Sequence, residues 1–483
     1  MKNEKQTIIK ISEDQASKTN GGIFEGWGSS LCWWANRVGY SDVLAQKAAE
    51  LFYGKEGLGL NIMRYNIGGG DDPSHNHITR TDSEVPGWLV WNEANHQYVY
   101  DYQADKDQLN VLRRCYEQAG ADAYVEAFSN SAPYFMTISG CASGGIDPNE
   151  DNLKPECYEE FAEYLAHVSA YINNELGIRV KSIASMNEPN SDYWPAYNWK
   201  QEGCHFHPGE SQSKMLLATA EAFRKAGLEH VEVTASDETN TQRQLESCQA
   251  FSEEAWDAID RISTHTYDVP KIHELAEYVA QKGYNLWMSE VDGTYTIGDA
   301  TDGMAPALGY AQKIIDDINA LSPSAWVMWQ LIDHHVSKDG YRGKQDSGMP
   351  DILDGFWGVA VADHDKQEVI LSKKYYAFGQ FSRHIKPGSQ LIHCGEHSLA
   401  AYDKDADTLS VVVVNAEKEP LPITIDVTEF CKNPMSVQTI RTSGNMDEGE
   451  NWKMVEESLS EDGIFRGDLM GYSVTTYVFK HQI

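Results

Sequence analysis

The sequence predicts an α/β protein: a closed (β/α)8 barrel carrying an attached all-β sandwich. Three observations predict it. Up to about residue 380, short apolar runs alternate with helical patterns, which argues for βα units and a parallel sheet. Eight strand-like runs can be counted, and eight with helices between them suggest closure rather than an open sheet. After Lys386-Pro387-Gly388 the helical periodicity gives way to strands and turns. The length, 483 residues, suits a barrel of roughly 250 to 400 residues plus a module. The expected division is 1–20 for an N-terminal strand joining the β module, 21–384 for the barrel and 385–483 for the sandwich.

In chain order the barrel strands are read at 26–31, 58–64, 121–128, 180–186, 231–235, 261–265, 285–289 and 325–330. Helical patterns fall at 41–53, 105–119, 156–176, 211–226, 272–282 and 306–320. The clearest is 156–176. There Tyr158, Phe161, Tyr164, Leu165, Val168, Tyr171, Ile172 and Leu176 recur at steps of three and four, giving one apolar face. Pro155 precedes it and Gly177 follows, as helix punctuation requires. The sandwich strands include 409–414, 423–427 and 472–479, and 6–11 can add one more. No repeat of 20 to 50 residues occurs.

Composition narrows the partners. Hydrophobic residues are 41%, ample for a large core, and charged residues are 23%. The formal charge of −34 repels phosphate backbones and anionic headgroups, so nucleic acid and membrane surfaces are excluded as partners. Solubility is the main reading of that charge, and a neutral polar substrate is compatible with it. The eight cysteines include no C-x-x-C pair, which argues against structural zinc. No apolar run approaches the ~18 residues of a membrane span, and Met1–Gln6 reads as no signal sequence. These features predict a cytoplasmic protein with reduced thiols, or a secreted one whose signal has been removed. Oligomeric state is not legible.

Two carboxylates stand out by position. Glu188 lies in Ser185-Met186-Asn187-Glu188-Pro189, and Glu290 in Leu286-Trp287-Met288-Ser289-Glu290, each directly after a predicted strand. Strand C-termini of a barrel converge on one face, and strands four and seven stand across its mouth. Cleavage of a glycosidic bond needs such a pair. One carboxyl protonates the leaving oxygen, and the other attacks the anomeric carbon or activates water. A separation of about 5–5.5 Å gives retention. Two charges that close disfavour double ionisation, so Glu188 is expected protonated and Glu290 bare. The competing reading is a pair of strand-end carboxylates in surface ion pairs.

At these residues the chain resembles glycoside hydrolase family 30, over nearly its whole length. Gly26-Trp27-Gly28-Ser29-Ser30-Leu31-Cys32-Trp33-Trp34-Ala35 and Arg64-Tyr65-Asn66-Ile67-Gly68-Gly69-Gly70-Asp71-Asp72-Pro73 look like its β-1,6-galactanase subfamily. The linker 375–388 resembles the family as well. The resemblance implies a retaining β-glycosidase with Glu188 as acid/base and Glu290 as nucleophile. It further implies that Arg64 braces the nucleophile, Asn187 bonds the sugar 2-hydroxyl, Tyr267 stands near the nucleophile, Trp329 forms a sugar platform and Asp71 binds substrate. Trp33 and His265 are candidate substrate contacts with them. Family members acting on glucosides tend to carry Trp after strand three. Here Asn130 stands at that place, in Phe128-Ser129-Asn130-Ser131, which leaves room for an axial hydroxyl such as galactose O4. The implied substrate is β-1,6-galactan or its oligosaccharides, with no cofactor.

Of Trp33, Trp34, Trp194 and Trp199, near predicted mouth loops, about half are expected to touch sugar. The pairs His75/His77, His205/His207 and His334/His335 include zinc-like H-x-H spacing, but no third ligand is apparent and two-carboxylate hydrolysis needs no metal. Gly68-Gly69-Gly70 lacks the Lys of a phosphate loop and reads as a tight turn that places Asp71 at the site. No Gly-x-Ser-x-Gly elbow occurs. Two rivals stay open: the same chemistry on β-1,6-glucan, a glucoside or xylan, and a non-catalytic carbohydrate-binding protein.

Overall fold

A computed structural model describes residues 6–293, 303–344, 346, 356–430, 435–460 and 463–481. Cys431 lies outside them. Eight parallel strands close a barrel: β1 (Gly26–Ser30), β2 (Ile62–Asn66), β3 (Tyr124–Phe128), β4 (Val180–Ala184), β5 (Glu232–Asn240), β6 (Arg261–Asp268), β7 (Asn285–Glu290) and β8 (Ala325–Met328). They pair in sequence order, and β8 returns to β1 with Ala325 opposite Gly26. Gly26 is required at that seam. Its φ is 131°, and a Cβ there would meet the Asn61 Oδ1 at 2.0 Å.

A helix follows each strand. Asp42–Phe52, Lys106–Ala119, Tyr158–Ala170, Glu210–Lys225, Ile272–Lys282 and Met304–Leu321 answer the six helical patterns. The pattern at 156–176 ends in a π turn over Tyr171–Glu175, and Gly177 beyond it has φ 66°. Helices Thr241–Ala250, Glu253–Ala258 and Lys373–Ser382 lack a strong apolar stripe in sequence and were not anticipated. Neither were the hairpin Leu89–Asn92/Gln97–Tyr100 and the small sheet of Ile332–Val336, Ala360–Asp363 and Glu368–Leu371.

The β module has a six-stranded sheet and a three-stranded sheet. Thr7–Lys10 pairs in parallel with Leu421–Asp426, so the N-terminal strand does join it. Their inner faces share an apolar core that includes Ile9, Val411, Ile425, Val437 and Phe479. The module is tied to the barrel through Lys373–Ser382. The buried Lys373 ammonium donates to the Ser443 and Glu450 carbonyls at 2.8 and 3.0 Å and to Asn451 Oδ1 at 2.5 Å. Three acceptors offset the cost of burying that charge.

Candidate active site

The barrel axis carries a buried polar ladder. At its lower end Arg261, from β6, pairs with Glu126, from β3. Above them the fully buried Arg64, from β2, has its Nε 3.6 Å from Glu126. Its fork pairs with Glu290 and Asp237 and donates to Asn187 Oδ1 at 2.9 Å, and its plane lies 3.6 Å from the Phe128 ring centroid. A planar five-donor cation is suited to such a junction, where one side chain positions three partners.

Glu290 is the last residue of β7 rather than the residue after it. Glu188 stands four residues beyond the end of β4, because that strand stops at Ala184. The chain turns there with Glu188 at φ 48°, and the Glu188 N–H donates to the Asp237 carbonyl at 2.8 Å. Asp237 itself sits at φ 70°. Left-handed backbone at a non-glycine residue costs about 1–3 kcal/mol and persists only where surroundings hold it. The two carboxyls meet at His265. Its Nδ1 lies 3.3 Å from Glu188 Oε1 and 3.5 Å from Glu290 Oε1, and an oxygen of each glutamate falls with that nitrogen inside a 4.8 Å cluster. The Tyr267 hydroxyl donates to Glu290 Oε1 at 3.0 Å. Asp237 sits 3.3 Å from the other His265 nitrogen and accepts from Ser289 at 2.5 Å.

The charges arrange themselves differently from the sequence expectation. Against its burial, Glu290 and Asp237 hold the His265 imidazole up at about 10, so it is a cation at neutral pH. Against the upward push of burial, the hydrogen bond and charge of His265 then draw the Glu188 carboxyl below its ordinary range. Burial carries Glu290 above its range, with His265 and Arg64 opposing. Both directions run against the sequence expectation of a protonated Glu188 beside a bare Glu290. The cause is a shared imidazolium whose reach to both carboxyls no sequence spacing could show.

Above the pair lies a cleft of about 300 Å³ whose lining includes Trp33, Asn187, Glu188, Tyr267, Glu290 and Trp329. Trp33 and Trp329 meet edge to face at 4.8 Å, and Arg80 covers the Trp33 ring. Trp194 also lines it, whereas Trp34 is core against Phe52 and Trp199 is 63% exposed elsewhere. Arg64 and His265 do not line the cleft; both are fully buried and reach it through the two glutamates. Asn130 is buried beside Cys32, its amide 3.7 Å from the sulfur and its carbonyl oxygen without a protein partner. Asp71 departs from expectation. The tight turn is there, with Gly70 at φ 70°, but it delivers Asp71 to His75 and His77 in a neighbouring cavity, not to the glutamates. Asp237, Tyr193, Arg80, Lys200 and Asp333 were missed. The strand carrying Asp237 and Glu238 runs on to Asn240, five residues past the predicted end at Ala235.

The model of O-glycosyl hydrolase family 30 matches residues 6–246. The chain belongs to glycoside hydrolase family 30. It is 28% identical to an endo-β-1,6-galactanase of Hypocrea rufa, over 95% of this chain and 92% of that protein. It is 25% identical to an exo-β-1,6-galactobiohydrolase of Bifidobacterium longum subsp. longum, over 79% of this chain but 32% of that longer protein. A conserved exported protein of Bacteroides fragilis shares the fold, with TM-score 0.77, 17% identity, and 98% and 100% of the two chains covered. The family 30 chain is thus a glycoside hydrolase on a (β/α)8 barrel with a β module. Among the described residues no helix is long and apolar enough to cross a membrane.

Proposed function

We propose that this glycoside hydrolase cleaves β-1,6-linked galactan or galacto-oligosaccharides by double displacement, with Glu290 as nucleophile and Glu188 as acid and then base. The observation that carries the mechanism is the convergence of both carboxyls on His265, within the short spacing that retention requires. Where the two glutamates meet, three carboxyls, Glu188, Glu290 and Asp237, contact two cations, Arg64 and His265. Neutrality calls for one proton more. Arg64 and the Tyr267 hydroxyl both donate to Glu290, which favours its anion. A sugar seated in the cleft strips water from Glu188, and desolvation then raises it to hold the proton. Glu188 gives that proton to the leaving oxygen as Glu290 bonds the anomeric carbon. With Glu290 esterified its charge is gone, Glu188 falls again, and it takes a proton from the attacking water.

Galactose is supported by the activities named for two relatives, and Asn130, buried with its carbonyl oxygen free of a protein partner, stands where glucoside-acting members carry a larger Trp. Trp33 and Trp329 would receive the apolar sugar face, and Asn187, held by Arg64, the 2-hydroxyl. Among the described residues seven cysteines are buried and free, which suits a reducing compartment, where short oligosaccharides would be the substrate; a secreted native precursor would overturn that location. The deciding experiment is product analysis over time on β-1,6-galactan beside β-1,6-glucan and xylan. Galactose or galactobiose released first with the β-anomer retained supports the reading. A ladder of longer products marks endo action. Release from glucan or xylan alone would replace the substrate.

A further inference from the structure

The mouth of the barrel holds a second cluster with no part in the chemistry above. Asp71, His75 and His77 follow β2, and Cys141 lies in the loop after β3. Their ligand atoms, a carboxylate oxygen, two ring nitrogens and a sulfur, all lie within 4.8 Å of one another. Asp71 Oδ2 is 3.3 Å from His75 Nδ1 and 3.3 Å from His77 Nε2, and His77 Nε2 is 3.4 Å from Cys141 Sγ. A tetrahedral zinc ion with its usual bond lengths separates nitrogen and oxygen ligands by about 3.3 Å and nitrogen and sulfur by about 3.5 Å. Three of the six edges match these lengths, and the other three lie within 4.8 Å.

We propose that Asp71, His75, His77 and Cys141 bind one zinc-class divalent ion as a structural site. The surroundings prepare each ligand. The Ala142 N–H donates to Asp71 Oδ1 at 3.0 Å, leaving Oδ2 for the ion. Two backbone N–H groups, of Tyr197 and Ser143, point at Cys141 Sγ at 3.3 and 3.5 Å and stabilise a thiolate. The Ser143 hydroxyl is 2.9 Å from that sulfur and 3.0 Å from His77 Nε2, and serves as their partner when no ion is bound. One carboxylate and one thiolate balance the ion's two charges. On binding, the Cys141 S–H proton leaves to solvent and the sulfur lone pair goes to the metal, with no change of oxidation state. Mixed imidazole and thiolate ligands favour zinc over magnesium or calcium. Four protein ligands leave no open position, so the ion staples loops rather than activating water. It would join the loops after β2 and β3 beneath Tyr197, three residues before Lys200 of the catalytic cleft.

The rival cluster Asp151, His205 and His207 offers three ligands, with His207 about half exposed, and serves as the control. The full chain is stripped with chelator, loaded with zinc chloride, desalted and measured for metal by mass spectrometry. Cobalt is titrated in parallel and followed by absorption. Wild type should hold about one ion per chain and show a thiolate-to-cobalt band. His77→Ala should weaken the ion at least about 100-fold, Cys141→Ser should lose the thiolate band, and His207→Ala should change neither. If Cys141→Ser does not fold, His75→Gln at a partly exposed position gives the same zinc readout. A wild-type chain that retains no zinc, or equal retention in wild type and His77→Ala, overturns the proposal, as does loss of the ion in His207→Ala.

Discussion

Glu290→Ala is the sharpest test of the mechanism. The substitution removes the carboxylate but leaves its cradle, the Arg64 guanidinium and the Tyr267 hydroxyl. A nucleophile fixed beside the reacting carbon acts at an effective concentration of about 10⁵ M or more, so its loss removes at least ~7 kcal/mol of transition-state stabilisation. On an aryl β-galactoside, kcat/KM should fall by about five orders of magnitude. The vacated space keeps two donors and a positive charge, which suits a small anion. Azide should therefore restore part of the turnover, and because it enters where Glu290 stood, the product should be the galactosyl azide of inverted configuration. The assay is release of the aryl group against azide concentration, with the anomeric configuration read by NMR. Near-wild-type activity, or an azide adduct of retained configuration, would refute the nucleophile assignment.

Glu188→Ala should spare substrates with good leaving groups and cripple natural ones, measured as kcat/KM across a leaving-group series; equal losses would remove Glu188 from the acid role. Tyr267→Phe deletes one hydrogen bond to a charged group, about 1.5–3 kcal/mol, so kcat/KM should fall about 10- to 150-fold while circular dichroism stays unchanged; an unaltered rate would separate Tyr267 from the nucleophile. His265 is held up at about 10 against an unfolded value near 6.5. A raised folded value makes its stabilisation complete below about pH 6.5 and lost as pH rises through about 10. The stability gap between wild type and His265→Gln should thus close across that window in thermal melts, and a gap that widens with pH would contradict the cationic imidazole. Gly26→Ala should lower the melting temperature of the whole chain, since a Cβ there meets Asn61 at 2.0 Å; an unchanged melt would mean the barrel seam yields.

What the sequence disclosed follows from what periodicity encodes. Strands buried on both faces and helices with one apolar stripe announce themselves, so all eight barrel strands and six of their helices were legible. Thr241–Ala250, with polar residues around most of its surface, carries no such stripe and was silent. Glu188 and Glu290 can be singled out in the sequence because strand ends mark the barrel mouth. His265 could be named but not its shared contact with both carboxyls, since that depends on side-chain reach across the barrel. The same limit hid Cys141 from His75 and His77: the partner comes from another loop, 64 residues past His77. Asp71 was drawn to the wrong neighbour because a turn fixes where a residue begins and not where its side chain aims.

The pairing of Thr7–Lys10 with Leu421–Asp426 has a bearing on how the molecule is made. Gln6 bonds Thr424, 418 residues further on. A ribosome therefore exports the first strand, and then the entire barrel, long before the edge that receives it exists. Contacts so distant in sequence close late and slowly. During synthesis the nascent chain must carry Ile9, which ends in the module's core, uncovered past the completed barrel. Emergence of Leu421–Asp426, rather than closure of the barrel, is the moment at which the N-terminal strand can lock.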